Sequence, residues 1–325
     1  MSELLEKCTV CKGLIDEEDL FCGNCGTESP HQGQKRGTQE IATHSFQCDG
    51  CGASMSFDAT AQNLRCPFCA NESLELIRDQ PILAARYVIP MKISREQAAS
   101  HLKQWLTRGF WRPSDLAEKS VVVELQPIYV PFWKFSVKTK TFYTADSSRT
   151  PAGARADWFP VSGERSGQYH AILVGASSVL SPEETQQVLP FNFSAAIPRE
   201  RFELDKVTFE QFRVQRKYAR PLARRGVENE ERVACAASIS GKTRNVKVNV
   251  RFEGMSSDPV LLPFWILAYR YQDTVYRFLI NGQSGKATGS APTSWLKVTL
   301  AIVGGGALVG LLMLLGLCAG VLTNR

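Results

Sequence analysis

Eight of the chain's ten cysteines lie before residue 70, and all eight fall in Cys-x-x-Cys pairs. Cys8/Cys11 and Cys22/Cys25 are separated by ten residues, Cys48/Cys51 and Cys66/Cys69 by fourteen. A small core does not demand thiols at that spacing twice over, whereas a tetrahedral ion does. Each set supplies four thiolates, which suits Zn2+ with Zn–S near ~2.3 Å and leaves no position open for water. Two structural zinc ions are therefore expected, on Cys8, Cys11, Cys22 and Cys25 and on Cys48, Cys51, Cys66 and Cys69. The glycines of "CGNCG" and "CDGCG" serve the tight knuckle that such a site needs. Between the second set's pairs, "SMSFDATAQNLR" reads as two short strands around a turn. His31 and His44 lie nearby, but neither set needs a fifth ligand, and both read as surface residues.

Disulfides are the competing reading. The N-terminus, "MSELLEKCTV", has no apolar h-region and is not a signal peptide. In a reducing compartment, closely spaced thiols read as metal ligands.

Charge separates the cysteine-rich part from the rest. Residues 1–80 carry 6 Lys+Arg against 13 Asp+Glu, a net of −7, while residues 81–325 carry a net of +13. A basic surface for an anionic partner would therefore lie outside the cysteine-rich part. The densest basic run is Arg213, Arg216, Lys217, Arg220, Arg224 and Arg225. Three readings stay open for it: a solvated helix face, contact with anionic lipid, or contact with nucleic acid.

At the other end, "VTLAIVGGGALVGLLMLLGLCAGVL", Val298–Leu322, is 25 residues without a charge. That is long enough to span a ~30 Å hydrocarbon core, with Trp295 and Lys297 at the interfacial position. Arg277, Lys286 and Lys297 precede it, so the positive-inside rule keeps the body in the cytoplasm. The expectation is one transmembrane helix over 295–322 and a single-pass inner-membrane placement. Gly306-x-x-x-Gly310 and Gly316-x-x-x-Gly320 have the spacing of helix self-association.

The chain between these ends repeats itself. "PIYVPFWKFSV" at 127–137 and "PVLLPFWILAY" at 259–269 share the skeleton Pro-x-x-x-Pro-Phe-Trp. Each opens a β-rich run leading to a hairpin, and proline at a strand start has no ladder donor to lose. The Phe-Trp pairs read as core packing, with an exposed aromatic groove as the alternative. "SREQAASHLKQWLTRG" reads as a helix with Ser94 and Gln97 as a capping box and Gly109 as its stop. Residues 144–168 read as loop-like. "SPEETQQVLPFNF" opens as a helix and is broken by Pro190. A longer helical zone runs over about 207–237, kinked near Pro221. "NVKVNVRFEG" alternates as a half-buried strand. Turns fall at Gln272-Asp273 and Asn281-Gly282.

Together these give the expected architecture. A first zinc ribbon (1–28), a flexible linker (29–43) and a second ribbon (44–80) precede an α+β domain (81–291). That domain is built from two related β units with helical insertions, and one C-terminal transmembrane helix (295–322) ends the chain.

No catalytic constellation stands out. "AASISGKT" at 236–243 fits a permissive phosphate-loop pattern, but a helix precedes it and a strand follows, the reverse of what phosphate binding needs. "NGQSGK" at 281–286 is open to an anion-nest reading, though an Asn-Gly turn explains it. His101 and His170 are isolated, and no zinc-protease motif or Ser-His-Asp set occurs. The chain reads as non-enzymatic.

"FQCDGCGASMSFDATAQNLRCPFCA" resembles TFIIB-type zinc ribbons. With "GERSGQY", "LLPFWILAYRY" and "YRFLINGQSGK", residues 44–297 resemble a bacterial family of zinc-ribbon membrane proteins. Members are often labelled as similar to the primosomal replication-restart helicase, whose motor motifs are absent here. The resemblance implies Cys48, Cys51, Cys66 and Cys69 as metal ligands. It also implies a scaffold at the membrane, with SPFH-type or phage-shock-type partners recruited by the ribbons. The alternative reading is a membrane-tethered nucleic-acid-binding module.

Overall fold

The computed structural model describes residues 6–10, 12, 14–15, 39–41, 45–57, 64–77, 81–153, 157–306 and 310. In chain order the strands begin with β1 (Glu6–Lys7), β2 (Leu14–Ile15), β3 (Gln39–Ile41), β4 (Ser45–Cys48), β5 (Ser54–Ser56), β6 (Leu74–Leu76), β7 (Pro81–Leu83) and β8 (Tyr87–Val88). Helices α1 (Arg95–Thr107) and α2 (Leu116–Lys119) lead into β9 (Val121–Ser147) and β10 (Phe159–Gly175). Then come α3 (Pro182–Val188), β11 (Ile197–Pro198), β12 (Phe209–Glu210), α4 (Arg216–Ser238), β13 (Thr243–Tyr271), β14 (Thr274–Asn281) and β15 (Ala287–Gly289).

Two strands dominate. β9 runs for 27 residues and β13 for 29, and they pair antiparallel from Thr243 opposite Ser147 to Arg270 opposite Val121. The main sheet runs β11-β8-β13-β9-β12-β5-β4-β6, with β10 on β9, β14 on β13 and β15 on β14. The expected α+β body is therefore corrected to a mostly-sheet one. Strand pairing, rather than a helical layer, joins its two units.

The repeat sets the geometry of that pairing. Pro131 lies opposite Leu261 and Pro263 opposite Tyr129, which places a local two-fold axis at the Val130–Leu262 pair. Equivalent residues make equivalent bonds. The Ala176 N–H donates to the Pro131 carbonyl and the Gly282 N–H to the Pro263 carbonyl, each at 2.9 Å. Trp133 Nε1 donates to the Val214 carbonyl at 2.7 Å, and Trp265 Nε1 to the Ile93 carbonyl at 2.9 Å. Val214 and Ile93 each precede the N-cap of a helix, α4 and α1 respectively. Each helix precedes its own long strand in the chain yet covers the other unit's tryptophan. Ala98, Leu102 and Leu106 of α1 pack with Trp265, and Ala219, Ala223 and Val227 of α4 pack with Trp133. All four aromatics of the two Phe-Trp pairs are buried, so they are core rather than groove.

Local signals account for α1 and α3. The Ser94–Gln97 and Ser181–Glu184 capping boxes are both formed, and Gly109 follows α1 with φ +119°. Two expectations shift. The helical zone begins only at Arg216, and α4 carries Pro221 inside it. Of the expected loop 144–168, residues 144–147 belong to β9 and 159–168 to β10, because their mutual pairing supplies the backbone partners that a loop would lack.

Among the described residues no helix is long and apolar enough to cross a membrane. This overturns the expected transmembrane helix over 295–322, and with it the single-pass inner-membrane placement. Among the described residues helical backbone covers 295–306 and 310. Residues 307–309 and 311–325, including Gly316 and Gly320, lie outside the described residues.

Candidate metal centre

Two knuckles of the same backbone design carry the second cysteine set. In the first, the Gly52 N–H donates to the Cys48 carbonyl at 2.8 Å and the Cys48 N–H to the Ala53 carbonyl at 2.9 Å. In the second, Ala70 N–H to Cys66 and Cys66 N–H to Asn71 repeat those distances. Both turns need a left-handed residue after the second cysteine, and Gly52 (φ 75°) and Ala70 (φ 60°) supply it.

The knuckles bring the four sulfurs together. Cys48 Sγ lies 3.6 Å from Cys69 Sγ and Cys51 Sγ 3.5 Å from Cys66 Sγ, and all four lie within 4.8 Å of one another. A tetrahedral ion with bonds of ~2.3 Å places its sulfurs ~3.8 Å apart, so the donor set fits one zinc ion. The sulfurs are poised unequally. The hydrogen bond from Cys66 draws the Cys51 thiol down to about 5. That same bond, then burial, pushes Cys66 up, and burial pushes Cys69 up to about 11. A dication among them favours ionisation of all four.

The ribbon is not a free module. β5 pairs with β12, Met55 opposite Glu210. Met55, Phe57 and Phe68 enter the same core cluster as Phe132, Phe264 and the axial Val130–Leu262 pair. Polar groups are buried at this junction. Gln211 Nε2 donates to Ser45 Oγ at 2.9 Å, and the Arg213 guanidinium donates to Ser54 Oγ. Glu210 is fully buried, and its Oε1 accepts from Ser177 Oγ at 2.9 Å and the Ser178 N–H at 3.1 Å. Burial pushes its carboxyl up to about 7 despite those donors. Sequence reasoning missed Glu210, Gln211 and Ser177, since no local pattern marks a docking residue on a two-residue strand or in the loops beside it.

Of the first set, Cys8 is buried and the Lys12 N–H donates to its carbonyl at 3.0 Å, with Lys12 at φ 59°. That is the first half of the same knuckle. Cys11, Cys22 and Cys25 lie outside the described residues, as do His31, His44 and most of 29–43.

The basic run is dispersed. Arg213 reaches the ribbon, and Arg216 is buried with its Nη1 3.4 Å from Ser257 Oγ. Lys217 lies over the Tyr218 ring and Arg224 over Phe252. Arg220 is half-buried and Arg225 exposed. No single face of α4 presents all six. The "NGQSGK" turn is equally occupied. Asn281 Oδ1 accepts from the Gln283 and Ser284 N–H groups at 2.8 and 3.0 Å, so those amides do not form an anion nest.

"GERSGQY" builds a second buried polar centre. Glu231 of α4 is fully buried. It accepts from Thr139 Oγ1 and pairs with Arg165 at 2.6 Å. Burial opposes its ionisation, but Thr139 and Arg165 outweigh that and hold the carboxyl below its ordinary range. The centre locks α4 onto β9 and β10.

No protein-family model matches the chain. No solved structure matches it either. A Bacillus subtilis (strain 168) protein described as "Uncharacterized protein YdjG" is 24% identical over an alignment of 315 positions that takes in 78% of this chain and 92% of that relative.

Proposed function

We propose that the chain is a non-enzymatic, zinc-stabilised adaptor. The observation that carries this reading is the closed set of four cysteine sulfurs, docked into the core of the body. A zinc ion with four thiolates has no open position, so it would hold structure rather than activate water. In this reading a second zinc binds Cys8, Cys11, Cys22 and Cys25, whose first knuckle is half described. The acidic N-terminal region then meets a protein partner. Its net charge of −7 against +13 for the remainder keeps it from the anionic surfaces that the body attracts. The SPFH-type or phage-shock-type identity of that partner rests on the family resemblance alone.

Metal analysis of the full chain purified under reducing conditions tests the first part, with two zinc ions per chain expected. A content well below one would end the reading. Deleting residues 1–43 tests the second part. It should abolish recruitment of an SPFH-type partner while the Cys48–Cys69 centre keeps its metal. Unchanged recruitment would remove the adaptor role.

A further inference from the structure

Beyond residue 137, β9 runs between β10 and β13 as the middle strand of a three-stranded arm. One face is covered by α4, through Thr139, Thr141 and Glu231. The other face carries Lys138, Lys140, Phe142 and Thr144 of β9 beside Lys247, Asn249 and Arg251 of β13. On β10 their neighbours are Ser162, Glu164, Ser166 and Gln168. Phe142 stands in the middle of this face and is 45% exposed.

One feature of this face is unfavourable for folding alone, and a second is open to a ligand. Lys140 and Arg251 lie directly opposite one another across the β9–β13 pair, and like charges in that position destabilise a sheet. The Phe142 ring is also exposed to solvent, with the Lys140 ammonium 5.5 Å from its centroid. Glu164 pairs with Lys140 at 3.2 Å and Asp146, two residues beyond Thr144, with Arg244 at 3.3 Å, while exposed Glu253 follows Arg251 by two residues. Lys138, Lys247 and Arg251 make no ion pair among the described residues.

We propose that this face binds single-stranded nucleic acid. Charge complementarity selects a polyanion, and the exposed ring selects one with flat faces to stack. The spacing agrees. Lys247 and Arg251 are four residues apart, about 13 Å at ~3.3 Å per residue, and they straddle Asn249, which lies opposite Phe142. A base stacked on Phe142 would have Asn249 beside its edge and phosphates toward Lys247 and Arg251 on either side. The face lies ten residues along β9 from Phe132, about 33 Å from the ribbon-covered core, so it is independent of the adaptor reading.

The test is fluorescence anisotropy on the full chain with a short labelled single-stranded oligonucleotide. Binding should fall steeply between about 50 and 200 mM salt through counterion release. Phe142→Ala should weaken it about tenfold through lost stacking. Replacing Lys140, Lys247 and Arg251 together by Glu should abolish it. Replacing Lys247 and Arg251 by Gln should lower the salt slope by about 1.4. Lys103→Glu, an equal change of charge on α1, should leave binding intact. A thermal melt of each variant reports folding separately. No binding at low salt overturns the proposal. So does equal binding of a duplex, or binding that Phe142→Ala leaves unchanged. Tighter binding of polyglutamate than of the oligonucleotide assigns the face to an acidic protein instead.

Discussion

The rings of Phe132 and Phe264 lie stacked, with centroids 6.0 Å apart and planes 8° from parallel. They are the same residue of the two repeats, and they meet because antiparallel pairing puts a two-fold axis between the repeats. Met55 and Phe57 of the ribbon belong to the same buried cluster as the stack. Each Phe→Ala change should cost about 3–5 kcal/mol. The double variant should cost less than their sum by about 1 kcal/mol, the share that belongs to the ring pair. Urea unfolding of the four proteins measures it.

Loss of the metal centre should reach the body. Met55, Phe57 and Phe68 belong both to the ribbon and to the central core. Cys66→Ser should therefore lower the stability of the whole described fold, by roughly 4 kcal/mol or more. Calorimetry should show one shifted transition. A separate low-temperature ribbon transition with the body unmoved would mean that the junction transmits nothing.

The two knuckles predict opposite effects of one exchange. Gly52 has φ 75° and open space where a Cβ would stand, so Gly52→Ala incurs only the left-handed penalty. Ala70 already bears that penalty at φ 60°. The penalty is ~1–2 kcal/mol, and glycine's extra freedom in the unfolded chain offsets ~0.4–1 kcal/mol of it. Ala70→Gly should thus stabilise by about 0.5–1 kcal/mol and Gly52→Ala destabilise by a similar amount, as read by thermal melts of the zinc-loaded protein.

The Glu231 centre predicts a pH dependence. Its folded carboxyl titrates below the ordinary range. The stability it contributes is present above the unfolded value, ~4.3, and is lost as pH falls through the lower folded one. Glu231→Gln should flatten that part of the acid-unfolding curve. Gly167→Ala should be severe, because its Cβ would sit 2.0 Å from Glu231 Oε1 and 2.6 Å from Thr139 Oγ1. More than about 3 kcal/mol is expected in chemical unfolding.

Within the basic run, Arg216 and Arg225 should behave differently. Arg216 is buried on the inner face of α4, and Arg225 is exposed. Arg216→Glu should destabilise by about 3 kcal/mol, as a reversed charge in a buried site. Arg225→Glu should stay within about 0.5 kcal/mol. Paired denaturation curves separate them.

What the sequence determined by itself is what short-range chemistry decides. Ser94–Gln97 and Ser181–Glu184 are capping boxes because a side chain and a backbone N–H three residues apart satisfy each other. Cys48–Cys51 and Cys66–Cys69 are knuckles because two residues between thiols bring them to one point. The Pro-Phe-Trp repeat was legible as two related units with buried rings. Tertiary structure alone decided how those units meet. It put Phe132 against Phe264, exchanged the helices so that α1 covers Trp265 and α4 covers Trp133, and seated the ribbon on the central stack through Glu210, Gln211 and Arg213. It scattered a basic run that looked continuous, made strand of 159–168 that looked like loop, and left no described helix able to cross a membrane. Each of these depends on partners tens of residues away. Strand pairing and burial are satisfied by whatever the fold brings near, and a local pattern does not carry that information.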